Sequence, residues 1–220
     1  MNLAEEFTLL AYADDGSLET DSTRLDNGLG GALLLELALA SRVDVEDKRV
    51  VVVDPAPTGD PLIDTALADV VAAKPRKPDH WVTRFAKGTR VRVLDKLVAD
   101  GILRREEEKI LLVFSRTRFV AAHGVEPVAE TEVRQRLRGA VAASGAVEKR
   151  TAALCALVAA TEMDRKVFAD LDRKRVKARL KEISAGDWAA AAVKKSIEAV
   201  QAAVMAAIVA STSAATAGSS

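Results

Sequence analysis

The chain has 220 residues, of which 49% are apolar and 4% aromatic, and its 32 basic and 32 acidic side chains give a formal net charge of zero. A core of this composition has to be built from Leu, Val and Ala, which favours packed helices over a β-sandwich. The neutral balance argues against a nucleic-acid binder, because phosphate contacts require a basic surface.

The first fifty residues predict two helices and a strand. Leu3 to Ala13 predicts a short helix or a helix–strand entry, and the turn signal Asp14-Asp15-Gly16-Ser17 ends it. Leu29 to Ala40 is apolar on nearly every face, as in a buried helix, so its one charged residue, Glu36, needs a basic partner, either Arg42 or another basic residue. Arg49 to Val53 predicts a strand that ends before two prolines.

Two helices follow, and local signals set their limits. Asp60 is a predicted N-cap with Pro61 at the first helical position, and apolar residues continue at helical spacing to Val71. Trp81 to Ala86 predicts one or two helical turns, and a second helix begins after Gly88 and ends at Gly101. Its predicted buried face consists of Val91, Leu94, Leu97 and Val98.

Residues 102–116 predict a β-hairpin with a charged tip. Ile102-Leu103 begin the first strand, residues 104–109 form a charged turn, and Ile110 to Phe114 return as an apolar strand. The three glutamates 106–108 place negative charge at the predicted tip, where anionic lipid would repel it.

The rest of the chain is predicted to be helical. The expected spans are 128–143, 147–162, 164–183 and 187–209. Ser211 to Ser220 is small and polar and predicts a disordered tail. The sequence therefore predicts a single domain over residues 1–210 of the mainly α class: a helical bundle core with short β-strands and a protruding β-hairpin.

The sequence favours a protein that is not an enzyme and that holds no cofactor or metal. It contains none of the motifs GxSxG, Walker A or GxGxxG, and His80 and His123 are not in ligand spacing with Cys or with each other. The single cysteine, Cys155, lies in an apolar run typical of a buried structural thiol. One cysteine cannot form an internal disulfide, which agrees with a cytoplasmic location. The start of the chain lacks a basic signal-peptide region, and we expect no membrane-spanning run.

Charge is distributed unevenly along the chain. Residues 1–60 carry 13 acidic and 4 basic side chains, a net −9, whereas residues 72–96 carry 8 basic and 2 acidic ones, a net +6. Lys87 and Arg90 are three residues apart near a helix start, so they share a helix face, and Arg92 and Arg84 lie close by. These four residues have two possible roles. They bind a phosphate or anionic headgroup, or they form an ordinary solvated helix face with salt bridges to the acidic first third of the chain.

Four segments carry a resemblance to one family. Residues 28–39, GLGGALLLELAL, are similar to the GLRGxxLIELAL helix of the Golgi phosphoprotein 3 family, and residues 57–64, PTGDPLID, to its PTGDxLLDEAL segment. Residues 90–103 resemble its RERLxxxLVxxGVL helix, and residues 174–180 its KRVRQLL helix. Richness in Ala, Val and Arg is typical of a high-GC bacterial source, such as an actinobacterium.

The resemblance implies an inner helix bundle and a hairpin through which the protein self-associates. It also implies binding of phosphatidylinositol 4-phosphate at a membrane surface, where eukaryotic members retain glycosyltransferases by their cytosolic tails. The two basic positions of the family site ahead of the hairpin fall on Lys87 and Arg90. Its arginine falls on Gly30 and its tryptophan near Asp21.

We therefore expect a cytoplasmic protein, peripheral on the cytoplasmic membrane face, that binds a phosphatidylinositol 4-phosphate-like or other anionic headgroup and an unknown protein client. Two other functions remain open. One is a protein-interaction or oligomerisation module without lipid, assembled through hairpin 102–116. The other is a winged-helix-like nucleic-acid binder, because a helix followed by a hairpin has that local shape; its acidic tip disfavours nucleic acid.

Overall fold

The fold consists of ten helices and two two-stranded antiparallel sheets, counted over the residues that the computed structural model describes, which are 1–110, 114–185 and 191–217. The predicted mainly α class with short strands is confirmed. In chain order the elements are α1 (Leu3–Leu9), α2 (Ser22–Leu39), β1 (Val43–Glu46), β2 (Arg49–Val52), α3 (Pro61–Val71), α4 (Pro78–Ala86), α5 (Thr89–Ala99), β3 (Leu103–Ile110), β4 (Phe114–Ala121), α6 (Val128–Ala142), α7 (Lys149–Ala160), α8 (Asp164–Val167), α9 (Arg173–Ala185) and α10 (Ala191–Ala217).

Helix α2 forms the centre of the bundle. It packs against α1, α4, α7 and α10, so it has no solvent face along most of its length. This explains why its sequence is apolar on every side. Glu36, its charged residue, is paired with Arg150 of α7 at 2.9 Å. Arg150 also approaches the buried Glu6, which Arg136 contacts at 2.7 Å. The basic partner of Glu36 is therefore Arg150, whereas the predicted candidate Arg42 pairs with Asp54.

The segment before α3 is a turn held by two aspartates. Asp60 accepts hydrogen bonds from the backbone of Leu62 and Ile63 at 2.9 and 3.3 Å and so caps α3, as predicted. Asp64 accepts from the backbone and the hydroxyl of Thr58 at 2.6 and 2.7 Å. The hydrogen bond from the Thr58 hydroxyl is the main cause that lowers the pKa of the Asp64 carboxyl.

The hairpin differs from its prediction. Strand β3 runs through residues 104–109, so the charged segment is part of a strand and the predicted acidic tip is wrong. In the register of the two strands, Glu106 lies opposite Arg118, and Arg118 forms an ion pair with Glu108 at 2.8 Å. Opposite charges facing each other across the strands stabilise the pairing, and residues 104–109 contain no Gly, Pro, Asn or Asp to make a turn. Residues 111–113, within the predicted return strand Ile110 to Phe114, lie outside the described residues.

Two corrections concern the second half of the chain. The helix predicted over 164–183 is interrupted, because the chain leaves helical geometry at Phe168, whose side chain is buried. Helix α9 then starts where Asp172 accepts a hydrogen bond from Arg175 N at 2.8 Å. The helix predicted over 187–209 continues to Ala217, so residues 211–217 are helical rather than a disordered tail. Residues 186–190 and 218–220 lie outside the described part.

The extension of α10 has a local cause. The hydroxyls of Ser211, Thr212 and Ser213 each donate to a carbonyl one turn earlier, at 2.8 to 2.9 Å. These polar side chains therefore bond to their own helix instead of competing with it. A further difference from the sequence prediction follows from this length. By length and composition, residues 194–214 form a stretch that is long and apolar enough to cross a membrane, and about a third of it is buried in the bundle.

Candidate anion-binding site

The predicted anion site lies at the corner between α4 and α5. Helix α4 ends at Ala86, Gly88 adopts a left-handed conformation with φ 73°, and α5 begins at Thr89. Gly88 has no side chain to cap α5, and the Thr89 hydroxyl donates backward to the carbonyl of Phe85. The first N–H groups of α5 therefore lack a side-chain acceptor, which leaves the positive end of the helix dipole open to an anion.

Lys87 and Arg84 line one open cavity of about 730 Å³ between α4 and α10. Asp69 of α3 holds the Arg84 guanidinium with two hydrogen bonds, at 3.0 and 2.7 Å. These bonds lower the pKa of the Asp69 carboxyl. Lys87 is exposed, and in the part of the chain that the structure describes no carboxylate forms an ion pair with it. Of the predicted cations, Lys87 is thus the one most available to a ligand.

Arg90 points away from this cavity. Its Nε lies 3.2 Å from Oδ1 of Asp26 on α2, and both side chains are about one-third exposed. Burial raises the pKa of the Asp26 carboxyl, and Arg90 opposes that shift. Burial likewise raises the pKa of the neighbouring Tyr12 hydroxyl, again against the charge of Arg90. The position where Arg90 would hold a phosphate is therefore occupied by a carboxylate of the protein itself.

The two remaining family positions have structural roles here. A Cβ on Gly30 would lie 2.2 Å from the carbonyl oxygen of Val82, so the backbones of α2 and α4 approach each other closely at this point. An arginine has no room there without separating the helices. Asp21 is the N-cap of α2 and accepts from the backbone of Thr23 and Arg24 at 2.9 and 3.1 Å.

The structure therefore brings two of the four predicted residues together. Arg84 and Lys87 share the cavity, Arg90 faces Asp26, and Arg92 donates to the Thr89 hydroxyl at 3.0 Å. The four cations stand close to three carboxylates, which are Asp26, Asp69 and Asp79. One positive charge remains in excess, so the corner attracts anions weakly and mainly through Lys87.

Sequence reasoning missed the far wall of the cavity. Helix α10 contributes Ala206, Ala207 and Ala210 to it. The sequence did contain a signal, because residues 199–217 carry no charge although they form a helix at the surface. Within residues 1–110, 114–185 and 191–217, no three His, Cys, Asp or Glu side chains are grouped to hold a metal ion.

The chain is similar to known proteins over most of its length. A family model described as Golgi phosphoprotein 3 (GPP34) matches residues 3–200. A curated relative, the vacuolar protein sorting-associated protein 74 of Eremothecium gossypii, is 26% identical; the match covers 63% of this chain and 47% of that protein. The chain thus spans about half the length of this curated relative.

Proposed function

Because this chain belongs to the Golgi phosphoprotein 3 family, we propose that it is a non-enzymatic, cytoplasmic adaptor that binds a membrane peripherally through an anionic lipid headgroup. The ligand is phosphatidylinositol 4-phosphate or a lipid with a similar phosphorylated headgroup. One observation carries the proposal: Lys87 is an exposed cation without an ion pair in the described structure, next to the uncapped start of α5 and at the mouth of an open cavity.

The headgroup contact differs from the one that the family resemblance implies. Arg90 is held by Asp26, and Gly30 supplies no side chain. We therefore place Lys87 as the primary phosphate contact, with the backbone N–H groups of α5 beside it and the Asp69-bound Arg84 at the cavity wall. Recognition then depends on one point charge and a helix start, which favours weak and salt-sensitive binding.

Vesicle flotation tests this assignment. Wild type should float with phosphatidylcholine vesicles that contain phosphatidylinositol 4-phosphate, and Lys87→Glu should lower the bound fraction about tenfold. Lys149→Glu is the matched control, because Lys149 is an exposed first-turn residue of α7 and the change in net charge is the same. If both variants lose binding equally, the effect is one of net charge and the assignment of Lys87 is wrong.

A second variant tests the role of Asp26. Asp26→Asn removes the carboxylate that occupies Arg90, so binding should become stronger than in wild type. If Asp26→Asn leaves binding unchanged and Lys87→Glu binds like wild type, the headgroup site is not at this corner.

One observation favours a second function, self-association through the hairpin. In the described residues, β3 and β4 form a two-stranded sheet whose outer edges have no strand partner. Glu107 and Thr117 are paired across the two strands. Replacing residues 108–116 with an Asn-Gly turn would therefore shorten the hairpin and keep its register. Light scattering should then show a smaller assembly than wild type if the hairpin joins copies. Equal masses would exclude it as an interface.

The hairpin gives no comparable support to nucleic-acid binding. Two arginines of the hairpin are paired with its own glutamates: Arg104 with Glu106 at 2.6 Å, and Arg118 with Glu108 at 2.8 Å. Arg105 is bound by Asp95 of α5. Paired cations are poor phosphate ligands, because a phosphate has to displace the carboxylate first.

A further inference from the structure

Helix α10 presents an apolar face to solvent. Its outward residues share small or aliphatic side chains, and we call them the α10 outer face: Ala202, Met205, Ala206, Val209 and Ala210. Met205 is 46% exposed and Val209 65% exposed. A surface helix normally carries charged residues on this side, whereas residues 199–217 contain none. The outer face therefore extends over about three turns without a charge.

The opposite face of α10 is fixed in the core. Ile197, Val200 and Val204 are buried, and the helix packs against α2, α4 and α7. Crossing a bilayer would require this face to leave the bundle and expose the core. The length and apolarity of residues 194–214 are thus compatible with a helix that lies along a membrane, with its inner half held by the protein.

A basic rim borders the outer face. A second groove, of about 460 Å³, lies between α10, the start of α4 and the β1–β2 turn, and three exposed lysines line it: Lys48, Lys77 and Lys195. Asp79 and Glu198 lie in the same groove and offset part of this charge. The groove meets the Lys87 cavity at Asp79 and Ala206, which line both. An apolar floor and a cationic border therefore form one continuous surface.

We propose that the α10 outer face enters the interface of an anionic bilayer, with the basic rim at the level of the lipid phosphates. Lysine suits this role because its aliphatic stem crosses apolar surface while the ammonium group reaches the headgroups. The α10 outer face offers no polar side chain to specify a peptide, and a second copy would present another cationic rim. The inference deepens the proposed function: it adds an apolar contact beside the headgroup site.

Two exposed valines provide a matched pair of variants. Val209→Glu places a charge in the α10 outer face, and Val128→Glu does the same at an equally exposed position, 73% exposed, at the start of α6. On vesicles of phosphatidylcholine and phosphatidylglycerol, Val209→Glu should bind about tenfold less than wild type, while Val128→Glu should bind normally. Wild type that ignores these vesicles, or Val209→Glu that binds like wild type, overturns the inference.

A label reports the location of the face directly. Cys155 is buried and burial raises its pKa to about 12, so an added surface thiol can be labelled selectively in the native protein. An environment-sensitive dye on Val209→Cys should shift to the blue on vesicles and be quenched by spin-labelled acyl chains. The same dye on Val128→Cys should do neither. A dye that stays in water at both positions refutes membrane contact by α10.

The two proposals fail separately. Binding of soluble inositol bisphosphate tests Lys87 alone, and it should be lost in Lys87→Glu and kept in Val209→Glu. If Val209→Glu also loses inositol bisphosphate binding, the substitution has disturbed the Lys87 cavity, which α10 helps to line. The dye on Val209→Cys then tests membrane contact by α10 on its own. A different result would make the α10 outer face a subunit interface: wild type does not bind vesicles and forms a dimer that Val209→Glu dissociates. In that case the bilayer inference is wrong.

Discussion

Replacing Gly30 by alanine tests the close approach of α2 and α4. The added Cβ would lie 2.2 Å from the Val82 carbonyl oxygen, where ordinary contact begins at 3.4 Å, so the helices have to separate by about 1 Å or the backbone of α4 has to shift. Overpacking of this kind costs about 1–3 kcal/mol, and here the upper end applies because a backbone carbonyl cannot rotate away. The gain in helix propensity from Gly to Ala returns about 1 kcal/mol.

We therefore expect Gly30→Ala to lower the free energy of unfolding by about 2 kcal/mol and the Tm by about 4–8 °C. Thermal unfolding followed by circular dichroism measures this. Gly139→Ala in α6 is the control, because nothing lies within 4 Å of its added Cβ, and it should raise stability by about 0.5–1 kcal/mol. If Gly30→Ala is stabilised like Gly139→Ala, the helices do not touch at this point, and room for an arginine at position 30 exists after all.

Two predictions concern stability elsewhere. Arg150→Met leaves the buried Glu6 and the partly buried Glu36 without this cation and should cost about 2 kcal/mol in urea unfolding. Arg138→Met breaks a half-exposed ion pair and should cost less than about 0.5 kcal/mol, and equal losses from the two variants would contradict the network around Arg150. Asp64→Asn weakens the turn at Thr58 and should cost about 1 kcal/mol at neutral pH. Since the pKa of Asp64 is lowered by folding, its contribution is present above the unfolded pKa of about 3.9 and is lost as the pH falls through the folded value. The difference from wild type should vanish in acid. The control is Asp47→Asn at an exposed position in the β1–β2 turn, and a difference that is independent of pH, or that Asp47→Asn matches, would refute the role of Asp64.

Elements with local end signals were predictable from the sequence. The start of α3 follows from Asp60 and Pro61, because a cap and a fixed φ act within a few residues. The end of α5 follows from Gly101, whose φ of 70° stops the helix where the sequence indicated. The predicted tail failed for the same local reason: serine and threonine were taken as loop formers, whereas hydroxyl bonds to the preceding turn keep them helical.

Partners distant in sequence were not predictable. Lys87 and Arg90 are three residues apart, and helical spacing predicted that they share a helix face. That prediction is wrong, because Lys87 is the C-cap of α4 in an extended conformation and left-handed Gly88 separates it from α5. Nothing in a single sequence indicates that Asp26, in another helix, pairs with Arg90 and not with Lys87. The same holds for Asp69, which takes Arg84 through two hydrogen bonds. The sequence thus indicated the basic corner but not how much of its charge is already neutralised.

Gly30 and Asp26 belong to one rearrangement of the family site. They are four residues apart on α2 and therefore share a face, which the structure turns toward α4 and α5. Because position 30 has no side chain, α4 packs directly on α2. One turn earlier, the Asp26 carboxylate forms an ion pair with Arg90, in the place where an anionic ligand would otherwise bind. An arginine at position 30 would need the separation of the helices, and the Asp26 carboxylate four residues earlier would compete with a ligand for its charge. Because that side of the site is closed, the proposed anion contact lies between α4 and α10, where Lys87 lines the cavity next to the α10 outer face.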